Sequence, residues 1–381
     1  MRVYLDNAAT TPLAPEVLEA MMPYFREHFG NPSAQHSYGR ESRAAVEQAR
    51  KVIAGCLNAK TSEIIFTSGG TESNNLALVC SVRDLGVERI ISSPIEHHCV
   101  LHTIDWLADH HQIKVEYINL KEDGSLDLEH LESLLQESNV KTLVSVMHGN
   151  NEIGVLCDLK KVGELCEGNN ALFHSDTVQT MAHFPFDVEQ LKVHFLTGSA
   201  HKFHGPKGIG FLYAKKGLSI KPIIHGGGQE RNKRAGTENL YGIVGMAKAM
   251  QLAYEHLEDD KAHILELKRY LFQHLSNGFE DIRINGPKDF DNSLYTVLNI
   301  SFPPDPRGSL LLFNLDMEGL CVSGGSACTS GASNGSHVIN AISQEQDRVS
   351  IRFSFSKYNT KAELDFAIEK IFKVFNVKVE C

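Results

Sequence analysis

The stretch that decides the fold runs from residue 195 to residue 213 and reads FLTGSAHKFHGPKGIGFLY. Its ends are apolar and its middle holds small residues and a Gly-Pro pair, which predicts two buried strands joined by a turn. Lys202 lies in that turn. Desolvation in a cleft between strands would lower the pKa of its amine and make it a nucleophile toward an aldehyde. The alternative is an ordinary surface lysine, so the rest of the chain has to decide between the two.

Strand and helix patterns alternate before and after Lys202. Apolar runs predict strands at residues 63–67, 89–93, 114–120, 142–147, 171–176, 194–198 and 210–215. Helical patterns fall between several of them, at residues 73–84, 100–110, 128–136 and 159–167. This alternation predicts an α/β fold with a large, mostly parallel seven-stranded sheet and helices on both faces. Ligands of such sheets bind beyond the carboxyl ends of the strands.

A smaller α+β domain is predicted in the later part of the chain. Helical patterns at residues 261–275 and 361–375 flank a run at 348–355 that alternates with period two. We predict a large domain of residues 15–257 and a small domain of residues 1–14 plus 258–381 that carries Cys328.

Length, charge and cysteine use narrow the class of protein. A chain of 381 residues can bury the cores of two or three domains. Its net charge of −10, with no basic block, argues against nucleic-acid binding. We find no signal peptide and no apolar run as long as a membrane span. The eight cysteines form no C-x-x-C pair, which argues against a zinc site, and their scatter favours reduced thiols in the cytoplasm.

Two turns that follow predicted strands carry candidate cofactor ligands. In the stretch IFTSGGTESN, Gly70 and Thr71 open a helix and could offer N–H groups and a hydroxyl to an anion. Asp176 ends a strand, with Gln179 three residues on, and its carboxylate could pair with a protonated ring nitrogen. Ordinary helix capping is the alternative at both turns.

Three further polar residues are candidates for contact with a cofactor or substrate. His97 could stack on an aromatic ring and shuttle protons, although chance histidines are common in a chain with 19 of them. Asn151, in the stretch HGNNEIG, either forms a turn or presents its amide to a carboxylate or a cofactor oxygen. Arg352 could bind a carboxylate through two hydrogen bonds, unless it is solvated or ion-paired.

Two glycine-rich loops also stand out. Residues 323–336 read SGGSACTSGASNGS, a composition that predicts mobility around Cys328. Free cysteines are usually buried, so a thiol on such a loop indicates reactivity, with accidental exposure as the alternative. The second loop, at residues 225–239, is either a surface excursion or a segment that reaches an anion, including one in a neighbouring subunit.

Taken together, these residues resemble the NifS/IscS-like cysteine desulfurases, a branch of the class V aminotransferase family and of the fold-type I, pyridoxal-phosphate-dependent enzymes. The resemblance runs from residue 4 to about residue 375. It is carried by motifs at residues 4–11, 31–33 with 36–37, 70–75, 96–98, 150–154, 176–179, 201–208, 234–237, 325–330 and 350–353.

The resemblance implies pyridoxal 5'-phosphate as the cofactor. Lys202 would hold it as a Schiff base and later move the Cα proton, and Asp176 would keep the ring nitrogen protonated. Gln179 would donate to the phenolic oxygen, and His97 would stack on the ring. Gly70 belongs to the implied cofactor site, and the implied phosphate ligands are Thr71, Ser199 and His201, with Thr237 from the partner in a homodimer.

The implied reaction removes sulfur from L-cysteine. Asn151 and Arg352 would hold the substrate carboxylate, and Cys328, as thiolate, would attack the sulfur to give L-alanine and a Cys328 persulfide. A sulfur-acceptor protein for iron–sulfur cluster assembly or tRNA thiolation is the implied partner, without direct contact to nucleic acid or membrane.

Other functions on the same fold stay open at this point. A cysteine or cystine β-lyase needs no thiol nucleophile, so Cys328 argues against it, and a selenocysteine lyase is a further alternative. A non-catalytic sulfur-transfer scaffold would not need Lys202, Asp176 and Arg352. The chain departs from the family near residues 334–335, where relatives often have an acidic residue and a proline. We also expect it to lack the longer C-terminal tail with which some relatives dock an iron–sulfur scaffold, since the sequence stops at Cys381, and this leaves the acceptor open.

Overall fold

The computed structural model describes residues 1–308, 310–324, 335–343 and 347–377. In chain order, its strands are β1 (Val3–Tyr4), β2 (Ile64–Thr67), β3 (Arg89–Ser92), β4 (Lys114–Tyr117), β5 (Thr142–Ser145), β6 (Leu172–Asp176), β7 (Phe195–Ser199), β8 (Gly210–Ala214), β9 (Arg283–Ile284), β10 (Val297–Phe302), β11 (Leu320–Cys321) and β12 (Val349–Ser354).

The helices connect and cover these strands. In chain order they are α1 (Pro15–Arg26), α2 (Ser37–Cys56), α3 (Gly70–Arg83), α4 (His98–His111), α5 (Leu128–Gln136), α6 (Leu159–Gly168), α7 (Val188–Leu191), α8 (Gln229–Asn232), α9 (Leu240–Glu255), α10 (Leu257–Gly278), α11 (Leu310–Met317), α12 (His337–Ile342) and α13 (Lys361–Phe375).

Strands β2 to β8 form one sheet in the order β2-β8-β7-β6-β5-β3-β4. The pairs from β7 through β4 are parallel, whereas β8 runs antiparallel to both β7 and β2. The connection from β7 to β8 is too short for a parallel crossover, which explains the reversal. The predicted fold class, with its mostly parallel seven-stranded sheet, is confirmed.

Helices cover both faces of this sheet, as a parallel sheet requires. Helices α1, α2 and α9 pack in one apolar cluster with alternate sheet residues such as Ile91 and Val144. Helices α3 and α4 pack on the opposite face against the neighbouring residues Ile90 and Leu143. Because both faces are buried, the polar side chains that serve the sheet collect at the ends of its strands.

A second apolar cluster forms around a small antiparallel sheet in the order β12-β10-β9. Helices α10 and α13 pack against it through residues such as Leu271 and Ile371. Strand β1 pairs in parallel with β11, and Asp6 bridges to Ser354, so the first residues join this sheet. The domain boundaries after residues 14 and 257 stay a prediction.

No helix in the described part of the chain combines the length and the apolar character that crossing a membrane needs.

Candidate active site

A cavity of about 240 Å³ lies beyond the carboxyl ends of β6 and β7. Most of the residues singled out from the sequence line it, namely Gly70, Thr71, His97, Asn151, Asp176, Gln179, Ser199, His201, Lys202 and Arg352. Thr237 does not line it and is exposed. Cys328 lies outside the described residues, so its predicted place beside the cavity stays a prediction.

Lys202 reaches the cavity from a single 3₁₀ turn, Ala200–Lys202, that directly follows β7. Its Nζ donates to the carbonyl oxygens of Ala8 at 2.5 Å and Ala9 at 2.9 Å. The side chain of Gln179 also donates to the Ala8 carbonyl, at 3.0 Å. The N-terminal segment therefore forms one wall of the cavity and fixes the direction of the amine.

Asp176 is the last residue of β6. A series of side-chain hydrogen bonds ends at its carboxylate. The Ser145 hydroxyl lies 2.8 Å from His174 Nδ1, and His174 Nε2 lies 3.1 Å from Asn74 Oδ1. Asn74 Nδ2 donates to Asp176 Oδ2 at 2.6 Å, and the Val178 N–H donates to Oδ1 at 2.9 Å. Burial lowers the pKa of His174 to about 3, so the ring is neutral and donates through Nε2.

Asp176 is buried, with 5% of the residue exposed. Among the described residues, its hydrogen-bond donors are the neutral groups of Asn74 and Val178. A buried carboxylate held by neutral donors is a strong acceptor for a cationic N–H group in the cavity.

The N-terminus of α3 faces the same cavity through Gly70 and Thr71. A side chain at Gly70 would place its Cβ 2.6 Å from Val178 Cγ2, so the helix can approach β6 this closely only with glycine. Ser199, at the end of β7, and His201 complete this corner. Burial, aided by the charges of Lys202 and Lys207, lowers the pKa of His201 to about 4. The corner thus combines a helix N-terminus with neutral donors, which suits a phosphate.

His97 is both a wall of the cavity and the N-cap of α4. Its Nδ1 accepts the Cys99 N–H at 3.1 Å and lies 3.0 Å from Cys99 Sγ. Burial lowers the pKa of His97, and the charges of Lys202 and His337 lower it further, against the opposing effect of Asp176. With Nδ1 occupied as an acceptor, Nε2 carries the proton of the neutral ring and is the nitrogen that can exchange it.

Cys99 places a thiol in the cavity wall. Burial raises the pKa of the Cys99 thiol to about 12. The thiol therefore stays protonated at neutral pH and is a poor nucleophile.

Arg352 lies on β12, 1% exposed, and reaches the cavity from the small sheet. Nη1 donates to the Asn151 carbonyl at 2.9 Å, and Nη2 forms an ion pair with Asp6 at 2.7 Å. Its buried Nε has no hydrogen-bond partner in the described part of the chain. A guanidinium N–H left without a partner beside a cavity fits a carboxylate ligand.

The loop that carries Thr237 is fixed at two points outside the cavity. Glu230 accepts from Arg50 at 2.7 and 2.8 Å and from the Phe66 N–H at 2.9 Å. Arg234 pairs with Glu72, in the first turn of α3, at 2.9 Å. Thr237 is thereby held on the surface, and its predicted role in a partner's site stays a prediction.

Sequence reasoning gave no role to Asn74, Cys99 or Asp6, which complete the site. Asn74 follows Gly70 by one helical turn, a spacing that puts both on one face of α3 and could have identified it. Asp6 meets Arg352 only through long-range pairing of the chain ends, for which the sequence carries no local signal.

No group of three or more metal-ligating side chains within the described ranges is arranged to hold a metal ion.

Residues 3–366 match the model of the aminotransferase class-V family. The chain belongs to the class-V aminotransferase family. Class-V aminotransferases depend on pyridoxal phosphate, and the predicted cofactor is confirmed.

Relatives within the class-V aminotransferases are similar over almost the whole chain. The cysteine desulfurase IscS of Dictyoglomus turgidum is 43% identical over 376 residues, which are 98% of this chain and 94% of that protein. A solved NifS-like protein is 40% identical with a TM-score of 0.90, covering 99% of this chain and 100% of that one. The structure of SspA in complex with cysteine is 33% identical with a TM-score of 0.80, covering 94% and 100%. The predicted resemblance to cysteine desulfurases is confirmed.

The cavity of this class-V aminotransferase fits pyridoxal phosphate on its own geometry. It offers a primary amine at Lys202, a buried carboxylate at Asp176 that has no cationic donor among the described residues, and a helix N-terminus beside Gly70. These are the groups that an aldehyde, a protonated ring nitrogen and a phosphate need.

Proposed function

We propose that this protein is an L-cysteine desulfurase that delivers the substrate's sulfur to Cys328. One observation carries the proposal: a single cavity is lined by Lys202, Asp176 and Arg352, and the buried Nε of Arg352 has no partner in the described part of the chain. The first two fit pyridoxal phosphate, and the third fits the carboxylate of an amino acid.

The residues divide the work along the cavity. Arg352 binds the substrate carboxylate through Nε, and Asn151 supports it. Asp176 accepts the hydrogen bond of the ring nitrogen, while the helix N-terminus at Gly70 and Thr71, with Ser199 and His201, holds the phosphate. Pyridoxal phosphate, when bound, supplies an electron sink for the electrons of the substrate's Cα–H bond.

Proton movement falls to Lys202 and His97. Lys202 Nζ takes the Cα proton of the substrate, since this amine reaches the cavity between the ends of β7 and β8. His97 exchanges a proton through Nε2, because Nδ1 accepts from the Cys99 N–H at 3.1 Å. Gln179, which lies beside Lys202, would donate a hydrogen bond to the phenolic oxygen of the cofactor.

The sulfur step conserves atoms and electrons. The thiolate of Cys328 attacks the sulfur of L-cysteine, so an S–S bond forms as the substrate's Cβ–S bond breaks. The electron pair of the broken bond stays with the carbon fragment, which takes up a proton to become L-alanine. The sulfur is oxidised and the carbon is reduced, so no external oxidant is needed, and the product on the chain is a Cys328 persulfide.

Further features of the predicted function remain part of the proposal. We propose a homodimer in which Thr237 of one subunit completes the phosphate site of the other. A sulfur-acceptor protein, for iron–sulfur cluster assembly or tRNA thiolation, takes the persulfide sulfur. The names of relatives such as the cysteine desulfurase IscS support this step, and the scattered free cysteines support a cytoplasmic setting.

The test incubates the purified holoenzyme with L-cysteine and dithiothreitol, which reduces the persulfide and releases sulfide. We expect L-alanine and sulfide in equal amounts. Cys328→Ala should abolish L-alanine formation, and it should leave binding of pyridoxal phosphate, followed by absorbance, unchanged. Pyruvate in place of L-alanine would overturn the proposal in favour of β-elimination. L-alanine formed by Cys328→Ala at the normal rate would overturn the proposed transfer of sulfur to Cys328.

A further inference from the structure

The segment 325–334 carries Cys328 and lies outside the described residues. The residues that flank it on both sides form hydrogen bonds with cavity residues or with their neighbours in the chain. On the N-terminal side, Ser323 exchanges two backbone hydrogen bonds with Arg352, at 2.7 and 3.3 Å. On the C-terminal side, the Ser336 hydroxyl donates to Glu152 Oε2 at 2.5 Å, and His337 Nε2 lies 3.0 Å from the Glu96 carbonyl oxygen.

The acceptors on the C-terminal side belong to two turns of the active site. Glu152 directly follows Asn151, and Glu96 directly precedes His97. Each glutamate is 1% exposed, and Glu152 Oε1 and Glu96 Oε2 have no partner in the described part of the chain. Because a buried carboxylate is costly, the bond from Ser336 is a main compensation for Glu152.

The backbone of Glu152 is itself held firmly. Its N–H donates to Asn150 Oδ1 at 2.8 Å, and its carbonyl accepts from Asn299 Nδ2 at 3.0 Å. The preceding carbonyl, that of Asn151, accepts from Arg352 at 2.9 Å. A group that bonds to the Glu152 side chain is therefore held in position relative to Asn151 and Arg352. These are the two residues that we propose bind the substrate carboxylate.

Ser336 is a fixed point of the chain. Besides donating to Glu152, its Oγ accepts the Ile339 N–H at 3.1 Å and caps α12. Gly335 before it has a φ of 67°, a left-handed conformation that turns the chain. The segment that carries Cys328 is thus followed at this end by a helix whose N-terminus is capped.

We infer that Ser336 and His337 are positioning residues for sulfur transfer. They hold the C-terminal end of the Cys328 segment on the two turns that bring Asn151 and His97 to the cavity. The C-terminal end of the segment that carries the nucleophile and the residues proposed to bind the substrate carboxylate then share one frame, which limits how far that end can move from the substrate. The inference rests on the proposed function, since it assigns a purpose to the reach of Cys328.

The test separates substrate binding from sulfur transfer in the holoenzyme. Binding of L-cysteine is followed by the change in cofactor absorbance, and sulfur on Cys328 is followed by intact mass in a single turnover. For Ser336→Ala we expect persulfide formation to slow roughly tenfold to a hundredfold, because the variant loses one hydrogen bond to a charged group. The dissociation constant for L-cysteine should stay within about twofold, because Asn151 and Arg352 are untouched.

Matched variants distinguish positioning from simple loss of a helix cap. Thr360 caps α13 with its hydroxyl, as Ser336 caps α12, but it has no contact with Glu152. Thr360→Ala should lower the melting temperature by less than Ser336→Ala, because no buried carboxylate loses its donor, and it should leave the rate of persulfide formation unchanged. Ser336→Thr keeps a hydroxyl and should restore that rate.

A second pair tests His337. The rings of His102 and His337 both contact that of His98, with centroids 5.1 and 4.5 Å away, but His337 alone of the two lies against the Glu96 carbonyl. His337→Ala should slow persulfide formation, and His102→Ala should not.

The inference would be overturned if Ser336→Ala formed persulfide at the wild-type rate, or if L-cysteine binding weakened by the same factor as persulfide formation. Cys328→Ala separates this failure from failure of the proposed function. If Cys328→Ala still makes L-alanine, the nucleophile is wrong and the inference falls with it. If Cys328→Ala is inactive while Ser336→Ala is normal, only the positioning role is wrong.

Discussion

Two walls of the cavity are built in opposite ways. The first, which we call the cofactor wall, comes from the large sheet and its helices and consists of Asn74, Asp176 and Lys202, with His174 bonded to Asn74 behind it. The second, the carboxylate wall, joins the chain ends to the turn after β5 and consists of Asn151 and Arg352, with Asp6 bonded to Arg352 behind it. In the cofactor wall, hydrogen bonds run from Ser145 to the carboxylate of Asp176 without a gap. In the carboxylate wall, Arg352 keeps a buried Nε without a partner among the described residues.

The difference between the walls fits the different times for which the cofactor and the substrate stay bound. A cofactor that stays bound through many turnovers is best met by groups already oriented by their neighbours, since ordering them costs nothing at each cycle. A substrate that binds and leaves in every turnover needs a hydrogen-bond donor without a protein partner. Its carboxylate can then bond to that donor and later release it. Variants in the two walls should therefore fail in different measurements.

The largest effect is expected from Asp176→Asn in the cofactor wall. The amide keeps the shape but loses the charge that complements a protonated ring nitrogen. We expect kcat to fall roughly 100-fold to 1,000-fold, with a smaller change in KM for L-cysteine. Steady-state L-alanine formation measures both constants. An activity within a few-fold of wild type would show that the carboxylate charge is not used.

Arg352→Lys in the carboxylate wall should have the next largest effect. Lysine keeps the charge but cannot bond Asp6, Asn151 and a carboxylate together. We expect KM for L-cysteine to rise roughly tenfold to a hundredfold, with pyridoxal phosphate binding unchanged. Cysteamine, which lacks the carboxylate, is the control substrate, and its KM should be the same in both enzymes. An equal rise in KM for cysteamine would contradict the assigned role.

Asn74→Ala should have a smaller effect and should act on the cofactor rather than the substrate. It removes the 2.6 Å hydrogen bond to Asp176 and leaves His174 Nε2 without an acceptor. We expect the dissociation constant for pyridoxal phosphate to rise about tenfold, measured by absorbance titration of the apoprotein. KM for L-cysteine in the saturated enzyme should be unchanged, and a rise there instead would erase the distinction between the walls.

The smallest effect is expected from pH. Burial lowers the pKa of His174 to about 3, while an unfolded histidine titrates near about 6.5. As the pH falls below about 6.5, the unfolded chain takes up a proton that the folded chain refuses, so the free energy of unfolding decreases toward pH 3. Between pH 7 and pH 5, urea unfolding should show the wild type losing about 1 to 2 kcal/mol more than His174→Gln. Equal losses would mean that His174 titrates normally in the fold.

The residues of the cofactor wall that follow strands are the part that sequence could predict, whereas it gave no role to Asn74. Lys202 and Asp176 follow strands whose apolar runs are distinct, and parallel strands deliver their carboxyl ends to one edge. All seven predicted strands of the sheet form, although the third of them, β4, ends at Tyr117 rather than at residue 120. The first turns of α3 and α4 bring Gly70, Thr71 and His97 to that edge for the same local reason.

The carboxylate wall was harder to foresee because its contacts are long-range. The alternating pattern predicted that Arg352 would face away from Ile351 and Phe353, and both of these are buried in the small sheet's core. Nothing local could reveal its partners, since Asp6 meets it through the pairing of β1 with β11 and the bridge to Ser354. The roles of Ser336 and Glu152 escaped for the same reason, because 184 residues separate them.

The ion pair between Asp6 and Arg352 also sets an order of events during synthesis. The two residues are 346 positions apart, which a ribosome working at roughly 5 to 20 residues per second covers in roughly 20 to 70 seconds. The cofactor wall, by contrast, is complete once Lys202 has been made. A nascent chain therefore acquires the groups that hold the cofactor well before it acquires those that select the amino acid.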